Sequence, residues 1–368
     1  MKKSKVYFTD FRTAFYGEGI LQKLERLMKK AGFEEIGFQN RFTAVKLHFG
    51  EAGNLAYLRP QYARTVADYV KKLGGIPFLT DCNTLYAGSR KNAVEHLATA
   101  AMNGFSEQSA HCPILIGDGL KGNDEIKVSV PNGIHFKEAK IGRTIMDADI
   151  FISLTHFKGH EKMGIGGCVK NIGMGCASCA GKMELHSDGK PVAEEDVCTG
   201  CGKCIRYCAH GALKLTGGKM HVDHVKCTGC GSCVSICPVT ALQPTWRQAD
   251  RLLDEKTAEY ASAVVAGRPH FHISILNNIS PNCDCHGEND APILPDIGML
   301  ASFDPVALDL AACELCNKAP RLVNTWLDGK EDSGDVFNDA HKNSHWKDTL
   351  DHAVKIGLGN DNYELIRL

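Results

Sequence analysis

The feature that most constrains this chain is a pair of matching cysteine patterns near its middle. Both patterns have the spacing C-x2-C-x2-C-x3-C, and their members are Cys198, Cys201, Cys204, Cys208, and Cys227, Cys230, Cys233, Cys237. The offset between the sets is constant at 29, from 198 to 227 and from 208 to 237, and CTGCG begins both. The repeat therefore indicates two equivalent ligand sets.

The spacing suits cubane clusters of four irons and four sulfides, which need one thiolate on each iron. A tight C-x2-C-x2-C loop supplies three thiolates, and the fourth cysteine lies too far along to close on the same cube, so it ligates the other cluster. Glycines between the ligands let backbone amides approach the sulfides. Zinc sites or disulfides are the alternative, but four-cysteine zinc sites seldom need two copies of this spacing.

The same segment resembles the bacterial two-cluster ferredoxins. This resemblance implies one 4Fe–4S cluster on Cys198, Cys201, Cys204 and Cys237, and a second on Cys227, Cys230, Cys233 and Cys208. Those ferredoxins have a proline after each fourth cysteine, which Pro238 matches and Ala209 does not. The difference weakens a turn constraint and removes no ligand.

Length and charge limit the size, the partners and the location that can be expected for the rest of the chain. The 368 residues leave roughly 300 for further domains once the cysteine repeat is set aside. A formal net charge of −1 argues against nucleic acid as a partner, and without 18 consecutive apolar residues no membrane span is expected. Seventeen cysteines with no signal peptide fit a reducing cytoplasm, so we expect a cytoplasmic protein.

Strand and helix patterns alternate on both sides of the cysteine repeat. Strands are predicted at 5–11, 43–49, 76–80, 113–116, 150–155, 270–276 and 297–302, and helices at 19–31, 60–73, 91–102, 141–147, 248–265, 305–316 and 346–356. This alternation predicts an α/β fold, a largely parallel sheet flanked by helices, with an inserted small α+β ferredoxin-like module. The predicted parts are 1–190 and 246–318 for the α/β domain, 191–245 for the module, and 319–368 for a tail with a helix.

Polar side chains follow six of the predicted strands. They are His48, Glu51, Asn54, Asp81, Asn83, Asp118, His156, Lys158, His160, Glu161, Asn277, Asn278 and Asp304. If the strands are parallel, these residues converge on the strand-end rim, where open α/β sheets bind ligands. Helix capping and turns are the alternative, and for Asp81, Asp118 and Asp304 taken singly we favour that interpretation, but it explains His48 and the group at 156–161 poorly.

The densest polar stretch is HFKGHEKMGIGGCVKNIGMG, residues 156–175. Its glycines, Gly164, Gly166 and Gly167, would let backbone amides face an anion. We predict a site for a small polar or anionic substrate here, with proton transfer by His156 or His160, assisted by Glu161 and His48. The predicted anion ligands are Lys158, Lys162, Lys170 and Asn171. A purely structural loop is the alternative.

A second set of possible metal ligands follows the strand at 270–276. Cys283, Cys285 and His286 offer two thiols and an imidazole within four residues, a donor set that favours zinc or iron. We predict an additional Zn or Fe site here, completed by His156 or His160. The alternative is a polar loop with inert thiols that forms part of a pocket wall.

Motifs outside the cysteine repeat resemble one family. They are VKLHFGE at 45–51, FKGHE at 157–161, KNIGMGCAS at 170–178, CDCH at 283–286 and DIGMLASFDPVALD at 296–309. The chain is similar, up to about residue 318, to the prokaryotic proteins that share domain of unknown function 362, which often carry a ferredoxin module. The resemblance implies the architecture and the clusters, and it supplies no substrate.

Three functions fit these features. The first is an oxidoreductase in which electrons pass between two clusters and a small-molecule substrate at the strand-end rim. The second is a ferredoxin-type electron carrier or redox subunit that docks on a redox protein. The third is a non-redox α/β enzyme whose clusters are structural or sense oxygen.

Overall fold

We analysed a computed structural model, which describes residues 3–86, 88–186, 189–244 and 250–368. Its strands are β1 Ser4–Asp10, β2 Phe42–Lys46, β3 Ile76–Asp81, β4 Ile114–Ile116, β5 Glu125–Ser129, β6 Glu138–Gly142, β7 Ile150–His156, β8 Lys158–His160, β9 Gly164–Gly166, β10 Val192–Ala193, β11 Leu213–Thr216, β12 Lys219–Val222, β13 Leu242–Gln243, β14 His270–Leu276, β15 Gly298–Ser302 and β16 Tyr363–Arg367. Its α-helices are α1 Ile20–Lys30, α2 Pro60–Lys72, α3 Ala93–Met102, α4 Glu107–Ala110, α5 Arg143–Asp147, α6 Cys168–Cys176, α7 Cys179–His186, α8 Lys203–Tyr207, α9 Ser232–Ile236, α10 Asp250–Val265, α11 Pro305–Lys318, α12 Val336–Ala340 and α13 Trp346–Lys355.

One eight-stranded sheet organises the molecule. Its strand order is β16-β1-β15-β14-β7-β2-β3-β4. Every neighbouring pair is parallel except for β15, which runs antiparallel to both β1 and β14. The sheet is therefore largely parallel, as predicted, and five consecutive strands from β14 to β4 point their carboxyl ends to the same edge.

Alternation of side chains along the strands builds a core on each face of the sheet. Ile152 and Leu154 pack on the face that α1 and α2 cover. Phe151 points to the opposite face, where α6, α10 and α11 cover the sheet. Because both faces are buried, the central strands are nearly continuous apolar runs, as parallel strands under helices usually are. The predicted α/β fold class is confirmed.

The predicted helices and strands of the α/β part are present in the structure with small differences at their ends, but several described elements were not predicted, among them α4, α6, α7 and the β8–β9 hairpin. Residues 141–142 belong to β6, which pairs with β5 in a hairpin that was not predicted, so α5 begins at Arg143. The strand β16 in the C-terminal tail was also missed. Residues 248–249 of one predicted helix lie outside the described residues, and α10 is described from Asp250. None of the described helices has the length and apolar character needed to span a membrane.

Asp304 caps a helix, as the favoured interpretation of this residue predicts, and does not lie on the strand-end rim. Because β15 is antiparallel to β14, the residues that follow β15 emerge at the opposite edge of the sheet. Asp304 instead caps α11, where its Oδ1 accepts hydrogen bonds from the backbone amides of Val306 and Ala307, each at 3.0 Å. Its Oδ2 accepts bonds from the Ser4 hydroxyl at 2.7 Å and from the Asn360 amide at 2.9 Å.

We therefore expect Asp304→Ala to lower the free energy of unfolding by about 2–4 kcal/mol. Loss of a helix cap costs ~1 kcal/mol, and each further hydrogen bond adds about 1 kcal/mol. Urea unfolding measures the change, with Asn92→Ala as control, since Asn92 caps α3 through one bond to the Glu95 amide. Equal losses in the two variants would contradict the role of Asp304 in joining both chain termini to α11.

Residues 191–244, here called the cysteine-rich segment, repeat in structure as they do in sequence. The helices α8 and α9 follow corresponding cysteines, and each repeat has one strand before its helix and one after it. The strands are exchanged between the repeats, because β10 pairs with β13 and β11 pairs with β12. Gly200 and Gly229 occupy equivalent positions with φ of 68° and 72°, a conformation that favours glycine.

Candidate functional site

A cavity of about 450 Å³ opens at the strand-end rim. The predicted site residues that line it are His48, Lys158, His160, Glu161, Lys162, Lys170, Asn171, Cys285 and His286. They come from the segments that follow β2, β7 and β14 and from α6. Neighbouring parallel strands thus bring together side chains that are far apart in the sequence. Two predicted residues, His156 and Cys283, lie behind the lining.

Buried ion pairs form one side of the cavity. The Arg90 guanidinium is 1 % exposed and donates through Nε to Glu51 Oε2 and through Nη1 to Asp81 Oδ2, both at 3.2 Å. Lys46 Nζ lies 3.0 Å from Asp81 Oδ1 and donates to Asn171 Oδ1 at 2.6 Å. Burial alone would raise the pKa of Asp81, but Lys46, His96 and Arg90 outweigh it and hold that pKa below its usual value.

Two other cations of the cavity have no such carboxylate partner. In the described parts of the chain, no carboxylate lies within ion-pair distance of Lys170 or Lys182. Lys170 Nζ donates to the Cys283 sulfur at 3.2 Å, and Lys182 Nζ donates to the carbonyl of Ala177. Both ammonium groups line the cavity, so it carries positive charge that an anionic ligand would balance.

His160 is the histidine of the 156–161 group that reaches the cavity. Its Nδ1 accepts hydrogen bonds from the backbone amides of Lys162 and Met163, each at 3.1 Å, which leaves Nε2 to carry the proton. Burial lowers the pKa of His160 to about 4, so the ring is neutral at neutral pH. His48 also lines the cavity, and burial, with Arg90 and Lys158 nearby, lowers its pKa as well.

His156 is held inside the protein by acceptors on both sides of its ring. Its Nδ1 lies 2.8 Å from Asp284 Oδ1, and its Nε2 lies 2.8 Å from the carbonyl oxygen of Asn277. Lys158 Nζ joins the same buried group, 3.2 Å from Asp284 Oδ2. This arrangement fixes the loop that follows β14, and it leaves His156 without a free nitrogen for proton transfer.

Of the glycines predicted to face an anion, Gly167 lines the cavity, whereas Gly164 and Gly166 do not. Gly164 and Gly166 lie in β9, which pairs with β8 in a short hairpin. The amides that begin α6 bind Asp309, whose carboxylate accepts from the backbone nitrogens of Cys168 at 2.6 Å and Val169 at 2.8 Å. Positive charge at this site therefore comes from lysine and arginine side chains, since the helix terminus is already occupied.

The CDCH sequence forms a turn beside the cavity. The His286 amide donates to the Cys283 carbonyl at 3.1 Å, and Asp284 anchors the turn from inside. Cys283, Cys285 and His160 bring their donor atoms within 4.8 Å of one another, and a second group with the same spacing consists of Glu161, Cys285 and His286. Of the two histidines predicted to complete this set, the structure brings His160 to the sulfurs and directs His156 elsewhere.

Sequence reasoning missed several side chains of the cavity. Lys46, Arg90, Lys182 and His186 all line it, and none follows a strand directly. One signal was available for Lys46, which interrupts the apolar run of β2 although it is 1 % exposed. A lysine inside a buried strand needs a partner, and Asp81 on the neighbouring strand β3 supplies it.

The cavity and the cysteine-rich segment have a common boundary, here called the shared wall, formed by residues 84–86 and 88–91 and by α7. In the loop part of this wall, residues 84–86 and 88–91, Tyr86 and Arg90 line the cavity, whereas Leu85 packs into the apolar core of the cysteine-rich segment. Lys91 Nζ donates to the Cys237 carbonyl at 3.3 Å. Successive Cα atoms are about 3.8 Å apart, so one layer of residues separates the two regions.

The helix α7 also contacts the cavity on one side and the cysteine-rich segment on the other. Lys182 and His186 line the cavity, whereas Met183 and Cys179 pack into the core of the cysteine-rich segment. The Cys179 sulfur lies 3.3 Å from the Ser235 hydroxyl on α9. Any change in the packing of the cysteine-rich segment therefore bears directly on side chains that line the cavity.

No disulfide bond joins any of the seventeen cysteines in the structure, all of which are among the described residues. Burial, and next the neighbouring Cys237, raise the pKa of Cys204 to about 11. Burial likewise raises the pKa of Cys233 to about 12, with Cys230, Cys227 and Cys208 among the neighbours that contribute. The cysteines are thus clustered, a distribution compatible with iron–sulfur binding.

Comparison with known proteins gives a family and no activity. No curated protein matches the chain. The lactate racemase apoprotein from Thermoanaerobacterium thermosaccharolyticum is similar in structure with a TM-score of 0.38 and 10 % identity, over 73 % of this chain and 50 % of that one. A crystal structure from Thermotoga maritima gives a TM-score of 0.37 and 11 % identity, over 92 % of this chain and 61 % of that one.

The chain thus spans between half and two thirds of the length of these two structures. Residues 43–314 match the model of one family, and that range includes the cavity, the CDCH turn and the cysteine-rich segment. The chain belongs to the family described as Domain of unknown function (DUF362).

Proposed function

We propose that this chain is an iron–sulfur oxidoreductase that exchanges electrons with a small anionic substrate bound in the cavity. The proposal combines two 4Fe–4S clusters in the cysteine-rich segment with the cationic side chains at the strand-end rim. The observation that carries it is the shared wall, because a single layer of residues contacts both regions. A short separation favours electron transfer between them.

The residues of the cysteine-rich segment fit two cubane clusters. Cys237 is a neighbour of Cys204, and Cys204 and Cys208 are both neighbours of Cys233, so cysteines of the two repeats lie close together, as interleaved ligation requires. The Gly200 amide donates to the Cys198 sulfur at 3.4 Å, and the Ala212 amide donates to the Cys208 sulfur at 3.3 Å. Backbone donors of this kind stabilise thiolate ligands. When bound, such clusters supply one-electron transfer.

The side chains of the cavity would bind and orient the substrate. Lys170 and Lys182 supply positive charge that no carboxylate of the described residues offsets through a direct ion pair. His160 is neutral with its proton on Nε2, so without a metal ion on that nitrogen it suits the donation of a hydrogen bond to a bound anion. Burial alone would raise the pKa of Glu161, but His160 and His286 lower it. Glu161 would therefore balance charge near His286.

We further propose that residues 191–245 are a module inserted into an α/β domain of residues 1–190 and 246–318, followed by a tail at 319–368. The pairing of β10 with β13 supports this division, because it joins the two ends of the segment. The proposed electron donor or acceptor is a redox protein that approaches the exposed Cys201 side of the segment. Neither nucleic acid nor a membrane is proposed as a partner.

The alternative is an electron carrier in which the α/β domain serves only for docking. Protein reduced under anaerobic conditions distinguishes the two, because the visible absorption of the clusters reports their redox state. Reoxidation on addition of carboxylates and phosphate esters of low mass would support the oxidoreductase. Reoxidation by redox proteins alone would support the carrier and overturn the proposal.

We expect Lys182→Met to slow substrate-dependent reoxidation by about 10-fold to 100-fold at low substrate concentration. A hydrogen bond to a charged group in a buried site contributes ~1.5–3 kcal/mol, and Met preserves most of the side-chain volume. Stopped-flow absorbance measures the rate. Lys127→Met is the matched control, since Lys127 is exposed on β5 and pairs loosely with Glu138. Equal rates in both variants would exclude Lys182 from anion binding.

A further inference from the structure

We propose that the CDCH turn and His160 form a mononuclear metal site for a divalent ion of the zinc or iron(II) class, open to the cavity. The ligands are the sulfurs of Cys283 and Cys285 and a ring nitrogen of His160, whose donor atoms lie within 4.8 Å of one another. The inference rests on the same cavity as the proposed function and assigns it a metal besides the clusters.

The spacing of these atoms is close to that of a tetrahedral site. With metal–sulfur bonds of ~2.3 Å and metal–nitrogen bonds of ~2.0 Å, ligand atoms stand about 3.4–3.8 Å apart. Shifts of about 1 Å therefore close the three donors on one ion. The donor set also has the right chemistry, because two thiolates and an imidazole favour zinc or iron over magnesium or calcium.

The turn that carries the sulfurs is a built structure with several anchors. Asp284, fully buried between the two cysteines, contacts His156 and Lys158 through its carboxylate, and its carbonyl accepts from the Glu51 amide at 2.9 Å. The Asn54 side chain donates to the carbonyl of His286 at 2.8 Å. These contacts hold both cysteines in one orientation, as a preorganised metal site requires.

A second layer of polar groups supports the thiolates and the imidazole. Lys170 Nζ donates to the Cys283 sulfur at 3.2 Å, an interaction that stabilises a metal-bound thiolate. Binding of the ion at Nε2 moves the His160 ring proton to Nδ1, where the buried Glu161 Oε2, 3.8 Å away and without a hydrogen-bond partner among the described residues, can accept a hydrogen bond from it in place of the contacts from the Lys162 and Met163 amides. The ion displaces the protons of the two thiols. Around Cys285, Glu161 and His286 form a second group of donors.

The open position of the proposed site faces the cavity. Cys285 and His160 line the cavity, whereas Cys283 lies behind it. Three protein ligands leave one position for water or for an oxygen of the substrate, as in catalytic zinc sites. The metal would thus bind the same anion that Lys170 and Lys182 attract.

The test uses the complete, cluster-containing protein supplied with Zn²⁺ under anaerobic conditions. Zinc X-ray absorption observes this ion separately from iron, and we expect about one zinc per chain, with two sulfurs at ~2.3 Å and lighter ligands besides. Cys285→Ala should lose this zinc while its iron content and circular dichroism remain unchanged. Cys112→Ala, which alters a buried cysteine outside the cavity, should retain it.

His160→Ala and His286→Ala identify the nitrogen ligand. Loss of zinc affinity by at least 10-fold in His160→Ala, with His286→Ala close to the parent protein, is the expected result. Equal zinc content in the parent protein and Cys285→Ala would overturn the metal site. So would a Cys283–Cys285 disulfide detected by mass spectrometry in protein that takes up no zinc, which would assign the pair to thiol redox chemistry. Neither outcome depends on electron transfer to a substrate.

Discussion

Replacing Cys208 with Ala is expected to remove the cluster ligated by Cys227, Cys230 and Cys233 and to spare the other. Iron content should fall from about eight to about four per chain, because each cubane holds four irons and needs four thiolates. The neighbours of Cys233 include Cys208, although 25 residues separate them in the numbering. Iron analysis and paramagnetic resonance of the reduced protein measure the loss.

Cys237→Ala provides the mirror experiment, since it should remove the cluster of Cys198, Cys201 and Cys204. Cys316→Ala, which alters a core residue of α11 away from the repeat, is the matched control and should keep the full iron content. If Cys208→Ala damages only the cluster of Cys198, ligation is confined to each repeat and the interleaved assignment is wrong. Zinc in place of iron in anaerobically prepared protein would favour the zinc alternative.

Replacing Arg90 with Met is expected to produce the largest loss of stability among single changes in the cavity. Arg90 is 1 % exposed and joins Glu51 to Asp81, so its removal leaves two buried carboxylates with fewer partners. Removing one member of a buried ion pair costs ~3–5 kcal/mol, whereas an exposed pair contributes about 0–1 kcal/mol. Chemical unfolding followed by circular dichroism measures the difference.

Arg26→Met is the control, because Arg26 forms an exposed pair with Glu18 at 2.9 Å. The double variant Arg90→Met, Glu51→Gln should recover part of the lost stability, since it removes one of the unpaired charges. A loss below about 1 kcal/mol in Arg90→Met would mean that Lys46 and water already compensate the carboxylates. The ion pairs beside the cavity would then contribute to ligand binding rather than to folding.

The sequence predicted the elements of this fold better than their directions. Long periodic segments such as α2 and β14 were located because burial imposes their spacing, whatever lies next to them. The antiparallel direction of β15 could not be predicted from the sequence, because strand direction depends on how a long connection crosses the molecule. Parallel strands would place Asp304 on the strand-end rim, but the reversal of β15 places it at the opposite edge, where it caps α11.

In the candidate site, too, the sequence located the segments but not the packing that decides which side chains meet. His160 and Cys285 were predicted to meet because their segments follow strands that proved to be neighbours, β7 and β14. Which histidine reaches the sulfurs depended on the short β8–β9 hairpin, whose three-residue strands leave no periodic signal. Arg90 and Lys182 were missed because only tertiary packing brings a loop and a helix to the cavity.

The strand order also determines when each part of the protein can fold during synthesis. The strand β1 pairs with β15 and β16, so both its partners come from residues 298–367. At a translation rate of 5–20 residues per second, β15 is synthesised roughly 15–60 s after β1. The cysteine-rich segment has no such delay, because β10 to β13 pair only among themselves within residues 192–243. The clusters proposed for it could therefore be inserted while the nascent sheet is still incomplete, before either neighbour of the first strand has been synthesised.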